Sequence, residues 1–442
     1  MWPKGVARMS SRVARMAAAG RVNAIDGRVK VAARTMQSTV TGAASSAALS
    51  SASQQCIALE DAHGAKNYKP LEVVLERGEG IHVWDVDGRR YLDFLSAYSA
   101  VNQGHAHPKI LAALHEQAGK LALTSRAFYN NVLGEYAEFV TSFFGFDRVL
   151  PMNTGVEGGE TALKLARRWG YEVKGVPPDE AVVLYCENNF WGRSLSAVSS
   201  SSDPTCRNGF GPFLPGVGLV PYDDIPALEA AFAENPHVVG FMLEPIQGEA
   251  GVVVPREGYL RGVRKLCTKY NVLMIADEVQ TGLCRTGTML ACDHEGVKPD
   301  MLVLGKALSG GVYPVSAVLG SHEVMLTIQP GEHGSTYGGN PLGSAVAIAA
   351  LGRPTWGSIC QTSPCTRSLP LTRAGAVAGQ RCCATRSSPR TRARWASCCA
   401  RGWTRSAATR CRRCAARGCS TPSSCGRSRR RARPTRSTFA TR

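Results

Sequence analysis

The residues best placed to do chemistry are an acid and an amine, Asp277 and Lys306, each standing at the end of a short apolar run. The run 272–276 stops abruptly at Asp277 and Glu278. The run 301–304 stops at Gly305 and Lys306, ahead of a small-residue turn that reaches Gly311. Uninterrupted apolar runs of that length, closed by polar or Gly punctuation, suit strands buried on both faces of a parallel sheet. Open α/β sheets present their reactive groups just past the carboxyl ends of such strands, so both side chains are expected to face one crevice. A primary amine can capture an aldehyde, and an acid can keep a ring nitrogen protonated; a Schiff-base cofactor with a basic ring needs both. A lone Asp or Lys at a strand end is more often an ordinary loop residue, so the rest of the chain has to carry the reading.

The elements that must position this pair are legible as a rhythm. Apolar runs at 181–186, 238–243, 272–276, 301–304 and 315–319 alternate with helical spacing at 225–234 and 257–269. That βα alternation predicts a mostly parallel sheet covered by helices on both faces. Upstream, 80–94 alternates apolar and polar residues around Asp87-Gly88, a hairpin signal, and 109–123 and 132–144 have helical spacing. The segment 151–168 is a Gly-bearing turn entering an amphipathic helix. There Gly155 lets a ligand approach the backbone, and free N–H groups favour an anion such as phosphate; a plain helix start reads the same way. After the run 181–186, Phe190 and Trp191 could stack on a planar ring and Arg193 could grip a carboxylate, or the first two simply pack and the third is solvated. Glu244 and Glu249 put two carboxylates at a further strand end, and 334–341 offers hydroxyls and Gly suited to phosphate.

The net charge of +18 belongs to the ends of the chain. Residues 353–442 hold 21 Arg and no Asp, Glu or Lys, and the first 59 residues hold Asp26 as their only acid, so the centre is net acidic. An acidic centre gives no footprint for nucleic acid, and no window is apolar enough to cross a membrane. The leader over 1–55 interleaves Arg8, Arg12, Arg15, Arg21, Arg28 and Arg34 with Ala, Val, Met and Ser. That composition reads as an organellar transit peptide, or as a disordered basic arm. The stretch 353–442 has neither helical nor strand periodicity and holds 10 of the 16 Cys. It has no His to join Cys411 and Cys414 in a metal site and few aromatics for stacking on RNA. The absence of every acidic residue from 353–442 fits an out-of-frame or mis-spliced product.

Together, NTGVEGGETALKLAR, NNFWGRSLSA, EPIQGEAGVVVP, IADEVQTGLCRTG, LGKALSGG and EHGSTYGGNPLG, in that order over 67–351, resemble the class III, fold-type I pyridoxal-phosphate aminotransferases. The turn Thr154-Gly-Val-Glu157, the Trp191 position and SAYSAVNQGH favour the ornithine-acting branch over members acting on acetylornithine, 4-aminobutyrate or glutamate semialdehyde. The resemblance implies pyridoxal 5′-phosphate as cofactor, bound through Lys306, which also shuttles a proton, with Asp277 on the ring nitrogen. It implies Gln280 on the ring hydroxyl, Phe190 on the ring face, and Gly155 and Val156 N–H groups on the phosphate. Thr336 should reach the phosphate from a neighbouring subunit, making the protein a homodimer or larger homo-oligomer. Tyr68 and Tyr98, with Trp191, should place L-ornithine, and Arg193 should hold a substrate carboxylate. Glu249 should mask a second arginine until 2-oxoglutarate enters. That arginine belongs to a C-terminal small domain which 353–442 does not match, so no residue is assigned to it. The implied layout is an N-terminal segment of the small domain at 56–95 and a cofactor-binding large domain at 96–352. The implied location is the mitochondrial matrix, with a plastid as the alternative.

Overall fold

The computed structural model describes residues 49–352; most of the leader expected over 1–55, and all of the tail expected over 353–442, lie outside the described residues. The described chain opens with helix α1 (Ser51–His63), capped by Ser50, whose hydroxyl accepts the Ser53 N–H at 3.1 Å. This helix runs across the expected boundary at 55, so regular structure begins before the leader was expected to end.

A three-stranded antiparallel sheet follows, β1 (Leu75–Glu79), β2 (His82–Asp85) and β3 (Arg90–Leu92). The expected hairpin lies between β2 and β3. Asp85 fixes it: its Oδ1 accepts the N–H groups of Asp87 (3.1 Å) and Arg89 (2.8 Å), and its Oδ2 accepts the Tyr91 hydroxyl at 2.6 Å. Helices α2 (Pro108–Ala118) and α3 (Leu133–Phe144) come next. The first ends five residues earlier than its spacing suggests, at Ala118, where Gly119, a poor helix former, follows.

The central sheet has seven strands: β4 (Arg148–Met152), β5 (Val182–Cys186), β6 (Val217–Val220), β7 (Val238–Leu243), β8 (Leu273–Asp277), β9 (Met301–Leu304) and β10 (Ser316–Gly320). Their order is β4-β10-β9-β8-β7-β5-β6, with β10 antiparallel to both neighbours and every other pairing parallel. The five expected strands are therefore present, the mostly parallel sheet with them. The two that the sequence did not announce, β4 and β6, are the two edges. Edge strands lack a second buried neighbour and tolerate polar residues, Gly and Pro, and these carry Arg148, Pro151 and Gly218.

Helices α4 (Gly155–Trp169), α5 (Ile225–Glu234), α6 (Tyr259–Lys269) and α7 (Pro341–Leu351) complete the layers. Alternate strand residues point to opposite faces. Val183, Tyr185, Ile275, Met301 and Val303 pack with Ala162, Leu165, Ala166 and Trp169 of α4. Leu184, Met274, Leu302 and Leu304 pack on the other face with α3, α5, α6 and α7. Each large side chain buried this completely contributes about 1.5–3 kcal/mol, so the two layers hold the ends of β7, β8 and β9 in a fixed row.

Candidate active site

Where the carboxyl ends of β7, β8 and β9 meet the N-terminus of α4 there is a cavity of about 240 Å³, lined among others by Gly155, Val156, Phe190, Glu244, Asp277, Gln280 and Lys306. Asp277 is the last residue of β8 and is buried; its Oδ1 accepts the Val279 N–H at 3.0 Å. Burial pushes its carboxyl up to about 6, opposed by that N–H and by the charge of Lys306. Lys306 follows β9 by two residues and sits at φ +44°, a left-handed backbone that costs a non-glycine residue about 1 kcal/mol or more. The surrounding turn offsets this strain: the Leu308 N–H donates to the Gly305 carbonyl at 2.9 Å, and Gln103 Nε2 donates to the Ala307 carbonyl at 2.9 Å.

The start of α4 is prepared for an anion. Thr154 caps it, accepting the Glu157 N–H at 3.3 Å, while the Glu157 carboxylate accepts the N–H groups of Thr154 (2.8 Å) and Asn153 (2.9 Å). This reciprocal box satisfies the flanking donors. It leaves the Gly155 and Val156 N–H groups, which point along the helix axis with no turn before them, facing the cavity at the positive end of the helix dipole.

The wall opposite is organised by Glu244, one residue past β7. Its Oε1 accepts the Phe190 N–H at 2.9 Å and its Oε2 the Gly248 N–H at 3.0 Å. One carboxylate thus fixes the loop that carries Phe190 and the loop that carries Glu249. Burial, then the neighbouring charge of Asp277, pushes it up to about 8. Gln280 reaches across to donate from Nε2 to Glu249 Oε1 at 3.0 Å. Gly248 makes this reach possible, since a Cβ there would lie 1.6 Å from Gln280 Oε1.

The structure therefore brings Asp277, Lys306, Phe190, Gln280, Gly155 and Val156 together around one cavity, with Glu249 bonded to one of them. Trp191 has a different place from the one expected. It touches the cavity as wall, but it is buried, stacked on Tyr185 at 5.7 Å and 7°, and its indole N–H is spent on Ser200 Oγ at 2.7 Å. Its polar atom is thus turned into the protein, because an indole N–H inside a core must find a partner. Arg193 is exposed beside the cavity, with its guanidinium 5.6 Å from the Phe190 ring and in no ion pair among the described residues. Tyr68, Tyr98 and Thr336 are exposed and do not line this cavity within the one chain. Tyr98 lies in a turn, Ser96–Ser99, whose four residues all have positive φ.

Sequence reasoning missed two things here. In sequence Glu244 is a strand-end carboxylate with no evident duty; its position one residue past an apolar run is the available signal. The Thr154-x-x-Glu157 spacing is a capping-box signature that would have placed the start of α4 to the residue.

A cradle of free helix N–H groups, a half-buried aromatic face, a buried acid and an amine fit a flat, anionic, aldehyde-bearing cofactor. The comparisons with known proteins agree. The family described as "Aminotransferase class-III" matches residues 63–359. A relative from Drosophila melanogaster named "Ornithine aminotransferase, mitochondrial" is 67% identical over 305 residues, which are 69% of this chain and 70% of that protein. The crystal structure of the ornithine aminotransferase from Toxoplasma gondii ME49 superposes with a TM-score of 0.68 at 52% identity, covering 70% of this chain and 73% of that one. The acetylornithine aminotransferase from Elizabethkingia anophelis superposes with a TM-score of 0.63 at 56% identity, covering 70% and 74%.

Proposed function

Because the chain belongs to the class III aminotransferases, whose cofactor is pyridoxal 5′-phosphate, we infer that it transfers the δ-amino group of L-ornithine to 2-oxoglutarate, giving glutamate 5-semialdehyde and glutamate. The observation that carries this reading is the single cavity in which Asp277, Lys306, Phe190, Gln280 and the start of α4 meet. Bound there, the cofactor supplies an aldehyde for the incoming amine and an electron-withdrawing ring for the carbon that loses its proton.

The chain's own groups do the rest. Lys306 would hold the aldehyde end through Nζ, and its tethered amine, when free, would move a proton at the substrate carbon. Asp277 would face the ring nitrogen, and a cation at that position would lower its carboxyl from about 6 and keep it ionised at neutral pH. Gln280 would bond the ring hydroxyl, Phe190 would cover the ring face, and the N–H groups of Gly155 and Val156 would hold the phosphate. Thr336, exposed on its loop, completes the phosphate site of a second copy, so the working unit is at least a homodimer. Tyr68 and Tyr98 place the donor for attack through its δ-amine, and Arg193 takes a substrate carboxylate. Glu249, held by Gln280, would stand at the substrate side of the cavity, with no arginine partner assigned to it in this chain. The relatives' names and the Arg/Ser-rich leader support the mitochondrial matrix as its location.

The test is an absorbance spectrum of the purified chain with the cofactor. The visible absorption band of the bound cofactor should collapse on adding L-ornithine and return on adding 2-oxoglutarate. Collapse with N-acetylornithine but not with L-ornithine would overturn the reading in favour of the acetylornithine-type activity.

A further inference from the structure

We propose that Arg285 is a positioning residue for the amine donor, acting by clamping the left-handed turn that presents Tyr98. Ser96, Ala97, Tyr98 and Ser99 have φ of +52°, +45°, +56° and +71°, and none of them is glycine. Consecutive left-handed residues with a Cβ persist only where their surroundings over-determine them.

The surroundings here come from two sides. At the entry, Asp93 Oδ1 accepts the N–H groups of Leu95 (2.9 Å) and Ser96 (2.8 Å), and Asp93 Oδ2 pairs with His105 Nε2 at 2.7 Å. At the exit, Asn102 is caught between two elements. Its Nδ2 donates to the Leu283 carbonyl at 3.0 Å, and its Oδ1 accepts the Arg285 guanidinium through Nε at 3.0 Å and through Nη2. The same Nη2 donates to Ser96 Oγ at 3.2 Å. Among the described residues, Arg285 is thus the one side chain hydrogen-bonded both to the first residue of the turn and to the residue closing the loop behind it.

Its own position gives the contact a purpose. Arg285 lies eight residues past Asp277, on the loop that leaves the same strand, and Gln103, next to Asn102, is bonded to the turn that follows Lys306. The Tyr98 turn is therefore registered against both reacting side chains, and Arg285 ties that registration at its open end. A planar fork with several donors suits the task; a lysine at the site could satisfy one acceptor at a time.

The proposal rests on the reading that Tyr98 places L-ornithine, and the experiment separates the two. Arg285→Lys, Ser96→Ala and Tyr98→Phe are made in the full chain, and each half-reaction is followed separately in single-turnover absorbance. With Arg285→Lys, the apparent KM for L-ornithine should rise about tenfold, while the 2-oxoglutarate half-reaction and the cofactor Kd stay within about twofold. Ser96→Ala, which removes one contact only, should move the same constant by about threefold. The double variant Arg285→Lys/Tyr98→Phe should be no worse than Tyr98→Phe alone. Amide hydrogen exchange over residues 96–103 of the cofactor-free chain should quicken in Arg285→Lys.

If Tyr98→Phe raises the ornithine KM and Arg285→Lys does not, the clamp is refuted and the role of Tyr98 stands. If Tyr98→Phe has no effect, the reading beneath the proposal fails. Equal losses in both half-reactions for Arg285→Lys would make it a general stabiliser and overturn the proposal. Unchanged exchange over 96–103 would do so without any turnover being measured.

Discussion

Substituting Gly159 by alanine tests how the cavity wall is held. Gly159 faces Trp191 across the α4 interface: a Cβ there would lie 2.4 Å from Trp191 Cε3 and 2.9 Å from Cζ3. Comfortable carbon contacts begin at about 3.5 Å, so the indole would have to retreat by about 1 Å. It has little freedom to do so, being stacked on Tyr185 at 5.7 Å and bonded through its N–H to Ser200 at 2.7 Å. Overpacking of this kind costs about 1–3 kcal/mol, and loss of the Ser200 bond would add about 1 kcal/mol. Against it stands the better helix propensity of alanine, about 1 kcal/mol. The net expectation is a loss of about 1–3 kcal/mol, or a melting temperature lower by several degrees. Because Phe190 and Gly192 flank Trp191 and line the same cavity, cofactor affinity should fall as well, by roughly tenfold for each 1.4 kcal/mol transmitted. The control is Gly134→Ala in α3, where a Cβ meets nothing within 4 Å and should be neutral or stabilising. Thermal melts of both variants with and without pyridoxal phosphate, and a cofactor titration, decide the matter. A Gly159→Ala protein that melts at or above the parent and binds the cofactor equally would refute the packing argument.

Three further outcomes follow from the site. Asp277 and Glu244 are pushed by burial up to about 6 and about 8, above their unfolded values, so the stability they contribute is complete below about pH 4 and is lost as pH rises through 6 and then 8. Denaturation midpoints of the cofactor-free chain should fall across that window, and in Glu244→Gln the part of the fall near pH 8 should vanish. Glu157→Ala removes the acceptor for the Thr154 and Asn153 N–H groups. It should cost about 1 kcal/mol of stability, seen as a lower urea midpoint, and weaken inorganic phosphate as a competitor of cofactor binding. Lys306→Ala leaves no amine at the strand end, so borohydride treatment followed by mass spectrometry should find no covalent cofactor adduct, where the parent chain carries one at Lys306.

What could be read from the sequence and what could not divides along a physical line. The interior strands β5, β7, β8, β9 and β10 are apolar on both faces, and two of them, β7 and β9, fall where their runs begin and end. The edge strands β4 and β6 carry no such imprint, since one side of an edge strand has no partner to reward apolar residues. The same line runs through the site. Asp277 and Lys306 are fixed by the ends of interior strands, so locating the strands located them. Phe190 follows the end of β5 by four residues and came with it, whereas Gly155 was announced by the Gly-bearing turn that enters α4 and Gln280 by the family resemblance. Trp191 and Arg193 stand two residues apart in sequence, yet one is sealed into the core by Tyr185 and Ser200 and the other is left at the rim; nearby positions in a loop have no period to tell them apart. Arg285 was least visible of all, since its partners Asn102 and Ser96 lie more than 180 residues away in sequence. The frame around the reacting pair is thus built from contacts distant in the chain, and a change in that frame should alter which amine is accepted before it alters whether the cofactor binds.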